Sequence, residues 1–261
     1  MTEERSHDHL IREQFSRQAA NWDSYVVSGG NEDALAWSLE NVELRPDMVV
    51  LDVAAGTGIL ARGMAPMVAQ AFALDVTPEM VARGAELAAE EGLTNVTFDH
   101  GDARSLPYED GSFSLVACRL AMHQVENPDL CLREMTRVCR SGGEVVIIDL
   151  TTSEDPATAE THNRLERLRD PSHTNALPAS RHRAMAQECG LEALRAAFYD
   201  SQRNVASWMN MTQTPPESRA AILERLEAEL SGGAATGMSP YRENGELMFK
   251  HRWIMLVGRK P

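Results

Sequence analysis

The chain has 261 residues, 43 % of them hydrophobic, enough for one large core and consistent with one to two domains. Its 39 acidic and 25 basic residues give a net charge of −14, which argues against a nucleic-acid or anionic-membrane partner. No apolar run is long enough for a membrane span, and the opening MTEERSHDHL lacks the apolar core of a secretory signal.

Cys118, Cys131, Cys139 and Cys189 have no Cys-x-x-Cys spacing, so reduced thiols in a cytoplasmic protein are expected and no metal site is.

In chain order, residues 6–27 read as a polar-to-amphipathic helix, with Leu10, Phe15, Ala19, Trp22 and Val26 near helical spacing. Trp22 and Tyr25 are candidates for a lid over a ligand, and Phe15 for an anchor of the helix to the domain. Ser28-Gly29-Gly30-Asn31 reads as a hinge, and a helix over 32–42 leads to the first strand. Residues 1–45 are therefore expected to form a helical lid, and 46–261 the main domain.

The run VVLDV, bounded by Arg45-Pro46 and by glycines, reads as a buried parallel strand. Gly56 and Gly58 follow in a turn that admits close approach of a ligand, and Ile59–Met67 reads as a helix. Strand, glycine turn and helix make the first unit of a doubly wound nucleotide-binding sheet.

Residues 71–74 read as the second strand, ending at Asp75, 19 residues after Gly56, where an acid holds ribose hydroxyls. Thr77 and Pro78 predict a helix to about Glu91 that Gly92 stops. Three more strands are expected at 96–99, 113–118 and 144–150, with a helix over 127–140 before the last. Beyond 150, helices are expected at 155–169, 179–188 and 216–230, and strands at 191–199 and 249–257. The segment 200–246 then forms a helical cap inserted between the last two strands. The pattern is α/β with a parallel sheet and helices on both faces.

The glycine turn alone fits either NAD or S-adenosylmethionine. Asp52, inside the strand before the turn, repels a pyrophosphate and suits the ammonium of a methionine moiety, which disfavours a nicotinamide oxidoreductase.

With LDVAAGTG (51–58), ALDVTPEM (73–80), GDARSLPYEDGSFSLVACRLAMHQV (101–125) and LREMTRVCRSGGEVVIIDL (132–150) in order, the chain resembles the class I S-adenosylmethionine-dependent methyltransferases. The likeness is greatest to the ubiquinone and menaquinone C-methyltransferase branch and its small bacterial relatives, some of which share a segment like RLRDPSH (167–173). The resemblance implies a Rossmann-like, seven-stranded, mostly parallel sheet whose last, antiparallel strand inserts between the fifth and sixth. It also implies that Asp52, Ala54, Gly56 and Gly58 surround the methionine and ribose. Asp75 would hold the ribose, Val76 and Met80 pack on adenine, and Asp102 and Ala103 meet its amino edge. Cys118 and Arg119 would hold the methionine amino end through backbone carbonyls.

The activity implied is methyl transfer to carbon or oxygen of a small-molecule acceptor such as a phenol, enol or quinol, with S-adenosylhomocysteine as product. The alternative is an enzyme of the same fold that keeps the cofactor for a pericyclic or rearrangement step. His123, past the tip of the fourth strand, is the candidate general base. Trp22, Tyr25, Arg169, His173 and Trp208 are candidates for holding the acceptor. Asp149, at the end of the fifth strand, fits capping as well as a site role. A homodimer is compatible with the sequence and not required by it.

Overall fold

The structure, a computed structural model, describes residues 7–19, 22 and 31–261. β1 (Val49–Val53) shows how the sheet is built. Leu51 and Val53 face one apolar cluster and Val50 the other, because successive side chains alternate across a strand. β2 (Gln70–Asp75), β3 (Val96–His100), β4 (Phe113–Arg119) and β5 (Cys139–Thr152) continue the sheet in parallel. On β5 the same alternation sends Val145 and Ile147 to one cluster and Val146, Ile148 and Leu150 to the other. Helices cover both faces, as a parallel sheet requires.

The strand order is β3-β2-β1-β4-β5-β9-β7, with β7 at Glu192–Asn204 and β9 at Glu246–Arg259. β9 runs antiparallel to both β5 and β7, so the last strand is inserted as the resemblance implied. Two short strands were not anticipated: β6 (Leu177–Pro178) pairs with β5 and β8 (Tyr241–Glu243) with β9. β7 and β9 are longer than expected because their shared ladder runs on past the apolar cores that set the sequence signal, and β5 because Cys139 pairs with Phe113 of β4 and Thr151 and Thr152 pair with β6.

α1 (His7–Gln18) is the described part of the predicted first helix; Tyr25 and the Ser28-Gly29-Gly30 hinge lie outside the described residues. α2 spans Asn31–Glu40, α3 Ile59–Met64, α4 Pro78–Glu90 and α5 Pro128–Val138. α6 (Pro156–Arg169) and α7 (Ala179–Glu188) follow β5, then α8 (Val205–Met211) and α9 (Pro216–Leu230) lie between β7 and β8. Thr77 precedes α4 but makes no side-chain cap; its N–H instead donates to Asp75 Oδ1 at 2.8 Å.

The cap segment has its own apolar cluster, in which Leu165 of α6 packs with Val205, Trp208, Met209, Ile222, Leu226, Met238 and Phe249. No helix among the described residues is long and apolar enough to cross a membrane.

Candidate functional site

The strand order reverses at β1, between β2 and β4, and ligands of open α/β sheets sit outside the carboxyl ends at such a point. A cavity of about 670 Å³ opens there, roofed by α1 on one side and by α8 and β7 residues on the other. That volume is within the roughly 300–1,000 Å³ of small-molecule sites.

Its floor is the glycine turn. Gly56 has φ +57°, and Ala54, at φ 54°, takes a left-handed conformation that is uncommon outside glycine. Asp75 fixes this turn: Oδ2 accepts from the Gly56 N–H at 2.7 Å, while Oδ1 holds Thr77. Burial raises the Asp75 pKa against the pull of these bonds. Each oxygen keeps a lone pair for ribose hydroxyls.

Asp52 Oδ2 accepts from the Ala61 N–H at 3.1 Å, and Oδ1 is buried with no hydrogen-bond partner. Burial pushes the Asp52 carboxyl from 3.8 up to about 7, with the Ala61 bond and the Arg119 charge pulling it back. A buried, half-satisfied carboxyl beside a glycine turn suits a ligand cation, and this is where the residues fit the cofactor's ammonium.

Ala54, Gly56, Asp75, Val76, Asp102, Ala103, Arg119 and His123 line the cavity, as do Trp22, Arg169 and Trp208. Gly58, Met80, Cys118 and His173 do not. Gly58 is needed because a Cβ there would stand 2.6 Å from the Phe98 ring. Met80 is fully buried in α4 beneath the turn, so it offers no face to an adenine. Cys118 points into the apolar cluster opposite Arg119, by strand alternation. His173 lies behind His123, their rings 5.4 Å apart, with Nε2 2.8 Å from Asn163 Oδ1. Burial drives its pKa down to about 3, so it stays neutral. Phe15, expected to be only an anchor, lines the cavity with its ring 5.5 Å from that of Trp22.

Asp102 lines the cavity but is already engaged by Arg104, whose Nη2 donates at 2.7 Å to Asp102 Oδ2 and at 2.8 Å to Asp8 Oδ2 on α1. Arg104 thereby ties α1 to the cavity rim, helped by Ser16, whose hydroxyl donates to Glu79 on α4 at 2.9 Å. No local spacing signals this contact.

His123 is 8 % exposed and is held twice by Asp149. Its backbone N–H donates to Asp149 Oδ2 at 2.8 Å and its Nδ1 to Oδ1 at 2.5 Å, which leaves Nε2 as the proton-accepting atom. Burial pushes the His123 pKa down and the Asp149 carboxylate pushes it up further, for a net rise above 6.5. Asp149 thus orients the imidazole, the role that a capping explanation left undecided.

Beyond His123 the cavity is lined by Arg203, His251 and Trp253, residues that the sequence did not single out. Glu166, 1 % exposed, lies 2.6 Å from His251 Nε2 and 3.9 Å from Arg169 Nη1.

Residues 44–216 match the family model of a methyltransferase domain. The chain is 32 % identical over 252 residues to the uncharacterized methyltransferase YcgJ of Bacillus subtilis, covering 94 % of this chain and 97 % of that protein. The crystal structure of YcgJ superposes with a TM-score of 0.79 over 88 % of this chain and 98 % of that one. A candidate methyltransferase from Bacillus halodurans C-125 gives 0.78 at 27 % identity, over 87 % of this chain and 98 % of the other. A ubiquinone/menaquinone biosynthesis C-methyltransferase of Ectopseudomonas mendocina is 28 % identical over 77 % of this chain and 84 % of its own length. Fold, glycine turn and relatives agree, and the chain belongs to the class I S-adenosylmethionine-dependent methyltransferases.

Proposed function

We propose that the chain methylates an acidic hydroxyl or an adjacent carbon, as in a phenol, enol or quinol, of a small-molecule acceptor, with His123 as general base. The observation that carries this reading is the His123–Asp149 pair on the cavity wall. S-adenosylmethionine, when bound, supplies a methyl group on a positively charged sulfonium. Asp52 would hold its ammonium, Gly56 and Asp75 its ribose, and Val76, Asp102 and Ala103 its adenine. Holding two reactants in line is worth about 7–11 kcal/mol of a barrier.

His123 Nε2 takes the acceptor's proton, and Asp149 keeps the resulting imidazolium in place. α1 acts as a lid, and 200–246 as a cap that excludes water with Trp208; Trp22 and Arg169 face the acceptor. The net charge of −14 argues against a nucleic-acid or anionic-membrane partner, and the four free cysteines support a cytoplasmic setting.

The test is release of S-adenosylhomocysteine on a panel of hydroxylated acceptors, measured against pH for the wild type and His123→Ala. General-base loss is expected to lower turnover about 10²–10⁴-fold. A variant within threefold of wild type at every pH would remove His123 from proton transfer, and product without S-adenosylhomocysteine would overturn methyl transfer itself.

A further inference from the structure

Buried N–H groups without an acceptor are rare, because each costs its full desolvation free energy. Among the described residues, the donor-only side-chain atoms in this state are Arg119 Nε and Nη2, Arg169 Nη2, Trp208 Nε1 and Trp253 Nε1. All four residues line the one cavity. Their rings and guanidinium groups are stacked: Arg119 lies 5.3 Å over Trp253, Arg203 lies 5.9 Å over the same ring, and Arg169 lies 5.2 Å over Trp208.

The nearby carboxylates are largely committed. Asp149 is taken by His123 and Asp170 Oδ1 by the Ser172 N–H and hydroxyl, while Glu166 meets His251 through Oε1 and stands 3.9 Å from Arg169 Nη1 through Oε2, a partial counter-charge for that guanidinium. Asp52 faces Arg119 from the cofactor side. Burial, followed by the charges of Arg169 and Arg119, lowers the Arg203 pKa to about 10. A sulfonium and an ammonium brought in by the cofactor would add positive charge to this enclosure, and only one carboxylate comes with them.

We infer that the acceptor carries a carboxylate, held by Arg119, Arg169 and Arg203 over the Trp208 and Trp253 rings, at the end of the cavity that His123 borders. A planar guanidinium fork matches a planar carboxylate, and the flat indole walls suit an acceptor with a flat apolar body. The inference deepens the proposed function and rests on it for the hydroxyl that is methylated; the oxyanion site itself is tested by binding alone.

The experiment is calorimetric titration of the S-adenosylhomocysteine-loaded protein, so that the cofactor carboxylate is already placed. The probes are benzoate, 4-hydroxybenzoate and salicylate, their carboxamides, and phenyl phosphate. At least one carboxylate is expected to bind ten or more times tighter than its amide. Arg169→Gln and Arg203→Gln are each expected to weaken that binding at least tenfold and to leave S-adenosylhomocysteine affinity within about twofold, with Arg169→Lys recovering part of the loss. His123→Ala is expected to bind benzoate, which has no hydroxyl to meet His123, within about twofold of wild type while losing turnover of hydroxylated acceptors, which separates failure of the base from failure of the anion site. Equal binding of acid and amide, no binding of any carboxylate at millimolar concentration, binding of the phosphate alone, or unchanged binding in both Gln variants would overturn the inference.

Discussion

Asp52 is where the site's electrostatics can be read most sharply. Its carboxyl is 1 % exposed and titrates near pH 7 in the cofactor-free protein, so about nine-tenths of it is protonated at pH 6 and about one-tenth at pH 8. An ammonium seated on Oδ1 selects the ionised form. Affinity for S-adenosylhomocysteine is therefore expected to be about tenfold, or roughly 1.4 kcal/mol, weaker at pH 6 than at pH 8. Asp52→Asn keeps the shape and the Ala61 bond, and should bind more weakly at pH 8 with that pH dependence gone.

The same shift carries a stability sign. The folded pKa lies above the unfolded 3.8, so stability from this group is fully present below about 4 and is lost as pH rises through about 7. Asp52→Asn should then raise the melting temperature of the cofactor-free protein at pH 8 while weakening cofactor binding. Calorimetry from pH 6 to 8 reads the binding effect and thermal denaturation the stability effect. A variant whose affinity falls with acid as steeply as the wild type's would refute the placement of an ammonium on Asp52.

Other outcomes follow from the same geometry. With the His123 pKa raised, its base form appears only above 6.5, so turnover should climb with pH through that raised value, and Asp149→Asn should shift the limb to lower pH; a pH-rate profile of both proteins checks this. Asp75→Ala should weaken S-adenosylhomocysteine binding by at least about 1.5 kcal/mol and also lower the melting temperature, since it frees the Gly56 and Thr77 N–H groups. Gly84→Ala should cost about 1–3 kcal/mol in denaturant unfolding, because its Cβ would meet Phe98 at 2.3 Å and the Thr57 carbonyl at 2.8 Å. Arg104→Ala should speed amide exchange in α1 by removing its tie to Asp8, and exchange there should slow on ligand binding in the wild type.

What the sequence revealed is what is local. VVLDVAAGTG carries its strand, turn and acid within ten residues, so β1, the turn and Asp52 could be read without the fold, and Asp75 from its spacing of 19 residues after Gly56. His123 was legible for the same reason, being fixed by its distance from the tip of β4. Face and partner were harder. Cys118 and Arg119 are neighbours in sequence, yet strand alternation buries one in the apolar cluster and opens the other to the cavity. Met80 sits on the helix face that packs under the turn, and His173 one layer behind His123. The acceptor end joins Arg119 on β4, Arg169 on α6, Arg203 on β7 and Trp253 on β9, four elements whose meeting depends on the inserted antiparallel strand. No spacing within the chain encodes that meeting.

The most direct measurement of how this cavity works is a crystal structure of the protein with S-adenosylhomocysteine. The expected result has the ammonium on Asp52 Oδ1, the ribose hydroxyls on Asp75, and the sulfur turned toward the end of the cavity bordered by His123. A ligand whose ammonium avoids Asp52, or whose sulfur faces away from His123, would contradict it.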